Sequence, residues 1–377
     1  MNDKNKIYIL FEQLPKVNSG GLITAYRALI PILKKHYDVE IISVFSPKEE
    51  NFECCKIHTI SDFGADFDVA HFKDSFKSME FKEAAKFPVT VFRYLLFPQK
   101  IRSSIRKLTK NGIIIAVSPA AARFVPKNLP YILEIHSSYQ YFFDGPIIGR
   151  LQTRLMTKPA LTLFRTKADS MKASSDIHPS FVYNFCSEQC IQQDDVSPKN
   201  RRILFVGRLE DLKDPLRVVD CAKSLEKLGV NFVLDIYGEG SLKASLLEYI
   251  HQSGLENKIY YKGYTNDKTI YRNYDLLWVT SKTEGFGLVI IEAKAQAIPT
   301  ISTNWGEGVY EVIADKENGY ICKTNEEFAL VTRELFENPL KLTNMKLNAL
   351  ADFSRFSQKN AETDWMNIIN YFQNEWF

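Results

Sequence analysis

The chain has 377 residues, 45% hydrophobic and 25% charged, a globular composition with room for two domains of ordinary size, which excludes an intrinsically disordered chain. The net charge of +3 is too small to argue for nucleic-acid binding and is unevenly spread: residues 1–200 hold 27 Lys and Arg against 20 Asp and Glu, the remainder 21 against 25. Six cysteines without Cys-x-x-Cys spacing, a polar start, and no run near the roughly 18 apolar residues of a membrane span predict a cytoplasmic protein with reduced thiols, soluble or peripheral on the inner membrane face.

The first expected strand is Lys6–Phe11, followed by a polar loop through Gly20 and Gly21 and an apolar-periodic helix from Leu22 to about Lys35. Further strands are expected at 39–45, 68–72, 89–94, 112–117 and 131–135, the last running into His136. A long, basic, partly apolar connection spans 137–172, and the wider stretch 97–172 holds 13 basic residues against 3 acidic. The alternation restarts at 202–206 and continues with 231–237, 258–261, 276–279 and 300–302. Strands alternating with helices predict an α/β chain with two Rossmann-like, doubly wound parallel sheets. The expected domains are 1–185 and 186–357, joined through the polar stretch 187–200. In the tail, Trp365, Ile368, Ile369, Phe372 and Trp376 form a helical stripe.

The densest functional signal is Thr283-Glu-Gly-Phe-Gly-Leu-Val-Ile-Ile-Glu292, which follows an apolar strand-like run and opens a helix-like run from Leu288 to Ala297. A strand's carboxyl end meeting a helix N-terminus is where open α/β sheets bind phosphorylated ligands, because glycines admit close backbone approach and the helix start offers unpaired N–H groups. Glu284 and Glu292 lie at most roughly 12 Å apart along such a helix, enough to grip both ends of a sugar-diphosphate-nucleoside. The plain alternative is two acids at a helix start, favoured there by its dipole. Gly238-Glu239-Gly240 lacks the third glycine of a dinucleotide fingerprint, so NAD is disfavoured. Asp66-Phe-Asp68 is read as the lead-in to a strand rather than a metal site.

In order along the chain stand Gly207-Arg208-Leu209, Lys213, Gly238-Glu239-Gly240, Glu284 to Glu292, and Trp305-Gly-Glu-Gly-Val-Tyr-Glu311. This set resembles the retaining glycosyltransferases of family 4, group 1, which have the GT-B fold; the first half matches more loosely, at Gly20-Gly21 and His136. The loop before Glu311 departs from the commoner Gly-Gly form by inserting Trp305 and Glu307. The resemblance implies two Rossmann-like domains facing a cleft, with a final helix, 358–377, crossing back to the first. It implies that Arg208 and Lys213 stabilise the leaving diphosphate without a metal or other cofactor, that Glu284 holds the donor sugar, and that His136 acts near it. It further implies that Glu292 binds the ribose, that Gly20, Gly21, Gly285, Phe286, Gly287 and Leu288 line sugar and phosphates, and that Gly207, Tyr237, Gly238, Gly263, Tyr264 and Thr265 line the nucleotide.

The expected activity is therefore transfer of a sugar from a nucleotide-sugar donor to an acceptor hydroxyl with retention, in cell-envelope polysaccharide or glycoconjugate synthesis. The basic first half suits a carbohydrate, lipid-linked or polyanionic glycan acceptor and an anionic membrane surface. One rival is a non-catalytic glycosyltransferase-like partner, which would be expected to lose one of the four charged residues. Another is a phosphorylase or epimerase on the same fold. A retaining glycosidase is disfavoured, since its carboxylates stand about 5 Å apart.

Overall fold

The structure is a computed structural model and describes residues 6–16, 20–48, 51–61, 98–110, 112–145, 147–187 and 196–376. Asp66, Asp68 and the strands expected at 68–72 and 89–94 lie outside the described residues. The chain forms two compact units. The first comprises Met1–Phe164, Ser170–Phe181 and Trp365–Phe377, and the second Arg165–Asp169 and Val182–Asp364. The boundary thus falls at 181/182 rather than 185/186, a short piece after Phe164 belongs to the second unit, and the last helix, Gln358–Trp376, changes unit within its length.

The first unit is built on strands β1 (Lys6–Phe11), β2 (Asp38–Ser43), β3 (Lys56–Thr59), β4 (Ile113–Ala116), β5 (Ile132–Ile135), β6 (Leu161–Phe164) and β7 (Pro179–Phe181). They pair in the order β3-β2-β1-β4-β5-β6-β7, every pairing parallel. The second unit carries β8 (Arg202–Val206), β9 (Val233–Tyr237), β10 (Ile259–Gly263), β11 (Leu276–Val279), β12 (Thr300–Thr303) and β13 (Gly319–Cys322), in the order β10-β9-β8-β11-β12-β13, again all parallel. The central strands are continuous apolar runs because both faces are covered. Ile203, Phe205, Leu276 and Trp278 point into one hydrophobic cluster, and the alternate residues Leu204, Leu277 and Val279 into the other.

Two expectations need correction. The stretch 137–172 is no mere connection: it holds the helix Ile147–Leu155, the buried strand β6 and the helix Lys167–Lys172. The helix after Gly287 stops at Ala295, since Ala297 turns left-handed at φ 52°. In both sheets the strand order reverses direction in sequence at the first strand, between β1 and β4 and between β8 and β11. Loops leaving the carboxyl ends of strands on either side of such a switch point frame a crevice, and that is where the candidate residues fall.

Candidate active site

In the second unit, Gly207, Arg208 and Lys213 follow β8, Tyr237 and Gly238 end and follow β9, Gly263 to Thr265 end and follow β10, and Glu284 to Leu288 follow β11. All leave the same edge of the sheet, and backbone hydrogen bonds hold the loops together. Gly207 donates to the Tyr237 carbonyl (3.0 Å), Leu209 to that of Glu239 (2.9 Å), and Gly238 to that of Gly263 (2.9 Å). This approach is why the glycines are needed. A Cβ on Gly238 would stand 1.8 Å from the Gly207 carbonyl oxygen, and one on Gly240 2.4 Å from that of Leu209. Tyr264 is half exposed beside this junction.

The loops after β8 and β11 bring Lys213 and Glu284 together, Nζ to Oε1 at 2.5 Å. Lys213 ends the 3-10 turn Asp211–Lys213, and that turn is pinned to the opposite loop. The Thr280 hydroxyl donates to the carbonyls of Lys213 (3.1 Å) and Asp214 (2.9 Å), and the Lys282 amide donates to that of Leu212 (2.9 Å). Ser281 donates its hydroxyl to the same Glu284 oxygen at 2.6 Å. The Glu284 side chain is 9% exposed and that of Lys213 23%, so the pair is largely withdrawn from water, while Arg208 is exposed one residue beyond Gly207.

Glu292 is held by an analogous device. The Lys268 ammonium reaches its Oε1 at 2.7 Å from the 3-10 turn Lys268–Asn273, and the Tyr271 hydroxyl donates to Oε2 at 2.7 Å. Burial and this carboxylate push the Tyr271 phenol well above its ordinary pKa. Glu292 is itself buried and already engaged by protein groups. Between the acids, Gly287 takes φ 83° and ψ 57° as N-cap of the helix Leu288–Ala295, a left-handed conformation that disfavours any side chain. The Phe286 ring turns inward, packing between Tyr183 (5.7 Å) and Phe356 (5.8 Å), so its side chain is withdrawn from the surface of the turn. Glu311 is consumed locally, accepting the Lys167 and Ala168 amides (2.8 and 2.7 Å) and the Tyr183 hydroxyl (2.9 Å).

In the first unit, Gly20, at φ 105°, opens the helix Gly21–Leu33 in the loop after β1, and His136 follows β5 at the same sheet edge. The His136 side chain is 14% exposed, with Nε2 3.7 Å from the fully buried Glu134. Sequence reasoning missed Ser281, Lys268, Tyr271, Glu134 and Tyr26. A buried-pattern strand with a glutamate in it, Ile132-Leu-Glu-Ile135, is the signal that could have found Glu134. Among the described residues no group of three His, Cys, Asp or Glu side chains is placed to hold a metal ion.

Residues 188–352 match the family model described as glycosyl transferases group 1. The amylovoran biosynthesis glycosyltransferase AmsD of Erwinia amylovora is 32% identical over 183 residues, which is 47% of this chain and 50% of AmsD, so the match spans half of that relative. The N-acetylgalactosamine-N,N'-diacetylbacillosaminyl-diphospho-undecaprenol 4-alpha-N-acetylgalactosaminyltransferase of Campylobacter jejuni is 25% identical over 325 residues, 82% of this chain and 85% of that one. The crystal structure of Anabaena HepE in complex with UDP and glucose aligns with a TM-score of 0.72 at 15% identity, covering 97% of this chain and 99% of HepE. The chain thus has the GT-B fold, two Rossmann-like parallel-sheet units, and the match to the glycosyl transferases group 1 model lies within its second unit.

The glycine contacts generate a direct test. Gly238→Ala, at φ 154° and with its Cβ driven into backbone, should displace the Gly207–Arg208 loop at a stability cost of about 1–3 kcal/mol. The expected outcome is a lower denaturation midpoint; an unchanged midpoint would mean the loops are not locked as described.

Proposed function

We propose that this chain is a retaining glycosyltransferase that moves a sugar from a nucleotide-sugar donor to an acceptor hydroxyl in the synthesis of a cell-envelope polysaccharide or glycoconjugate. The observation that carries the reading is the Lys213–Glu284 pair across the β8/β11 switch point, with Arg208 on the same loop as Lys213. In this reading the bond from the anomeric carbon to the leaving diphosphate breaks while the acceptor oxygen attacks the same face, without a covalent intermediate on the protein. Arg208 and Lys213 take up the charge that grows on the diphosphate, the work that a metal does in other transferases. Glu284 accepts hydrogen bonds from donor-sugar hydroxyls and offsets positive charge at the anomeric carbon, with His136 acting at the same sugar. Glu292, oriented by Lys268 and Tyr271, binds the ribose, and the backbone at Gly20, Gly21 and Gly285–Leu288 receives sugar and phosphates. Tyr237 and Gly263–Thr265 receive the base. The retention of Arg208, Lys213, Glu284 and Glu292 speaks against a non-catalytic partner.

For the acceptor side we propose that the first unit docks on an anionic membrane and there meets a lipid-linked or anionic glycan. Much of the basic stretch is structural: Arg102 donates to the Arg123 carbonyl (3.1 and 2.6 Å), Arg106 to that of Lys127 (2.7 Å), and Arg123 and Arg165 are buried. Lys100, Lys107, Lys110, Lys127, Lys167 and Lys172 are exposed at scattered positions, and on the helix Ile147–Leu155 the exposed Ile147 (76%) and Leu151 (50%) alternate with exposed Arg150 and Arg154, with exposed Lys158 following. An apolar ridge flanked by cations matches an anionic lipid surface, each cation adding about 1 kcal/mol. Among the described residues no helix is long and apolar enough to cross a membrane.

Three outcomes test these readings. Glu284→Gln keeps shape but removes charge, and should lower turnover at least a hundredfold, about 2.7 kcal/mol of barrier, in a nucleotide-sugar panel read by nucleoside diphosphate release. Turnover within threefold of wild type removes Glu284 from the reacting centre. Arg208→Ala and Lys213→Ala should each weaken nucleoside diphosphate binding while wild-type activity survives chelator; complete loss in chelator, restored by magnesium or manganese, would overturn the metal-free assignment. Co-sedimentation with phosphatidylserine-containing vesicles should occur at low salt, fall at high salt, and be lost in Arg150→Glu/Arg154→Glu. Protein that stays in the supernatant under both conditions points to a soluble acceptor.

A further inference from the structure

The first unit contains a buried polar cluster that the fold does not require. Glu134 sits in the middle of β5 with 0% of its side chain exposed, among the apolar residues Ile132, Leu133 and Ile135. An uncompensated carboxylate in such a place is strongly unfavourable, so its partners are its reason for being there. One is Tyr26, which is fully buried on the helix Gly21–Leu33 and donates its hydroxyl to Oε2 of Glu134. Another is His136, two residues on and therefore on the same face of the strand, with Nε2 3.7 Å from that oxygen. The Tyr26 ring also packs on the His136 ring, centroids 5.5 Å apart, and edge-on against Phe11 at the end of β1 (5.3 Å).

We propose that Glu134, braced by Tyr26, is a positioning residue for His136: it fixes the imidazole's orientation and keeps the proton on Nε2. The inference rests on the reading above that His136 acts at the donor sugar. At 3.7 Å the Glu134 carboxylate faces Nε2, and a negative charge there favours the tautomer that carries its proton on that nitrogen. Burial raises the Glu134 pKa while His136 lowers it. Tyr26 also ties this arrangement to the loop that the donor is proposed to touch. It stands on the helix opened by Gly20 and Gly21, where the Thr24 amide donates to the Gly20 carbonyl at 3.2 Å. One carboxylate thus joins the strand that ends in His136 to the helix that begins at the glycine loop.

The test uses the full chain and two readouts. In the first, the His136 ring nitrogens, assigned with His136→Ala, are followed by 15N NMR. The wild type should show the Nε2–H tautomer, and Glu134→Gln should shift the equilibrium away from it; identical ring-nitrogen shifts in the two proteins would overturn the proposal whether or not the chain is a transferase. In the second, UDP release from UDP-glucose and UDP-N-acetylglucosamine is measured for Glu134→Gln, His136→Ala and the double variant. Glu134→Gln should lower kcat tenfold or more while UDP affinity and the melting temperature hold, and the double variant should match His136→Ala within twofold, because both changes remove one function. Tyr26→Phe should act in the same direction with a smaller loss. Losses that multiply in the double variant, or a Glu134→Gln kcat within twofold of wild type, refute the positioning role. A His136→Ala variant with wild-type kcat instead sinks the role of His136 on the donor, leaving the NMR result to decide the structural claim.

Discussion

Everything in the second unit's site depends on a close backbone approach between the loops that leave β8 and β9. Gly207 and Leu209 donate to Tyr237 and Glu239, and the approach is tight enough that Gly238 and Gly240 have no room for a Cβ. With that contact in place the chain after Leu209 has one course, into the Asp211–Lys213 turn, and the Thr280 and Lys282 bonds fasten this turn to the loop after β11. Lys213 and Glu284 are therefore juxtaposed by backbone bonds rather than by their mutual attraction. That matters because a partly buried ion pair gains little once desolvation is counted. The pair is better understood as a preorganised charge distribution, its orientation settled before a ligand arrives.

The sheets were legible because central parallel strands announce themselves as apolar runs, and the positions of the candidate loops because they follow those runs at once. What was not legible lies where that signal is weakest. Lys56-Ile-His-Thr59 is half exposed at a sheet edge, Pro179-Ser-Phe181 is three residues opening on a proline, and Leu161–Phe164 is four residues beside Pro159. None offers a period long enough to distinguish from a loop. Side-chain pairings were hidden for another reason. Lys268 and Tyr271 precede Glu292 by more than twenty residues and reach it because their turn leads into β11 and the helix that follows β11 packs back against that turn. Such a contact belongs to topology, which no local pattern encodes.

Charge counting misled in an instructive way. The excess of basic residues over 97–172 reads as one electropositive stretch, yet Arg102 and Arg106 are turned onto backbone carbonyls and Arg123 and Arg165 are buried. Guanidinium groups have enough donors to satisfy carbonyls that a loop leaves unpaired, so an arginine in this stretch is as often a structural donor as a surface charge. On Ile147–Leu155 exposed cations recur at helical spacing beside exposed apolar residues, and there the excess forms an amphipathic surface.

The acids that bracket the glycine turn share a design. Each is met by a lysine from a 3-10 turn that follows a strand, Lys213 after β8 and Lys268 after β10, and each takes a further hydroxyl donor, Ser281 or Tyr271. A carboxylate left to itself rotates and attracts water. One fixed by a cation and a hydroxyl presents its remaining lone pairs in a set direction, and those are what a sugar or ribose hydroxyl must find. The lysines differ little in their surroundings: Lys213 keeps 23% of its side chain exposed and shares the loop after β8 with exposed Arg208, and Lys268 keeps 31%. What differs is the hydroxyl. Ser281 lies three residues from Glu284 in the same loop, whereas Tyr271 reaches Glu292 from the turn that precedes β11, so one carboxylate is oriented locally and the other by the fold.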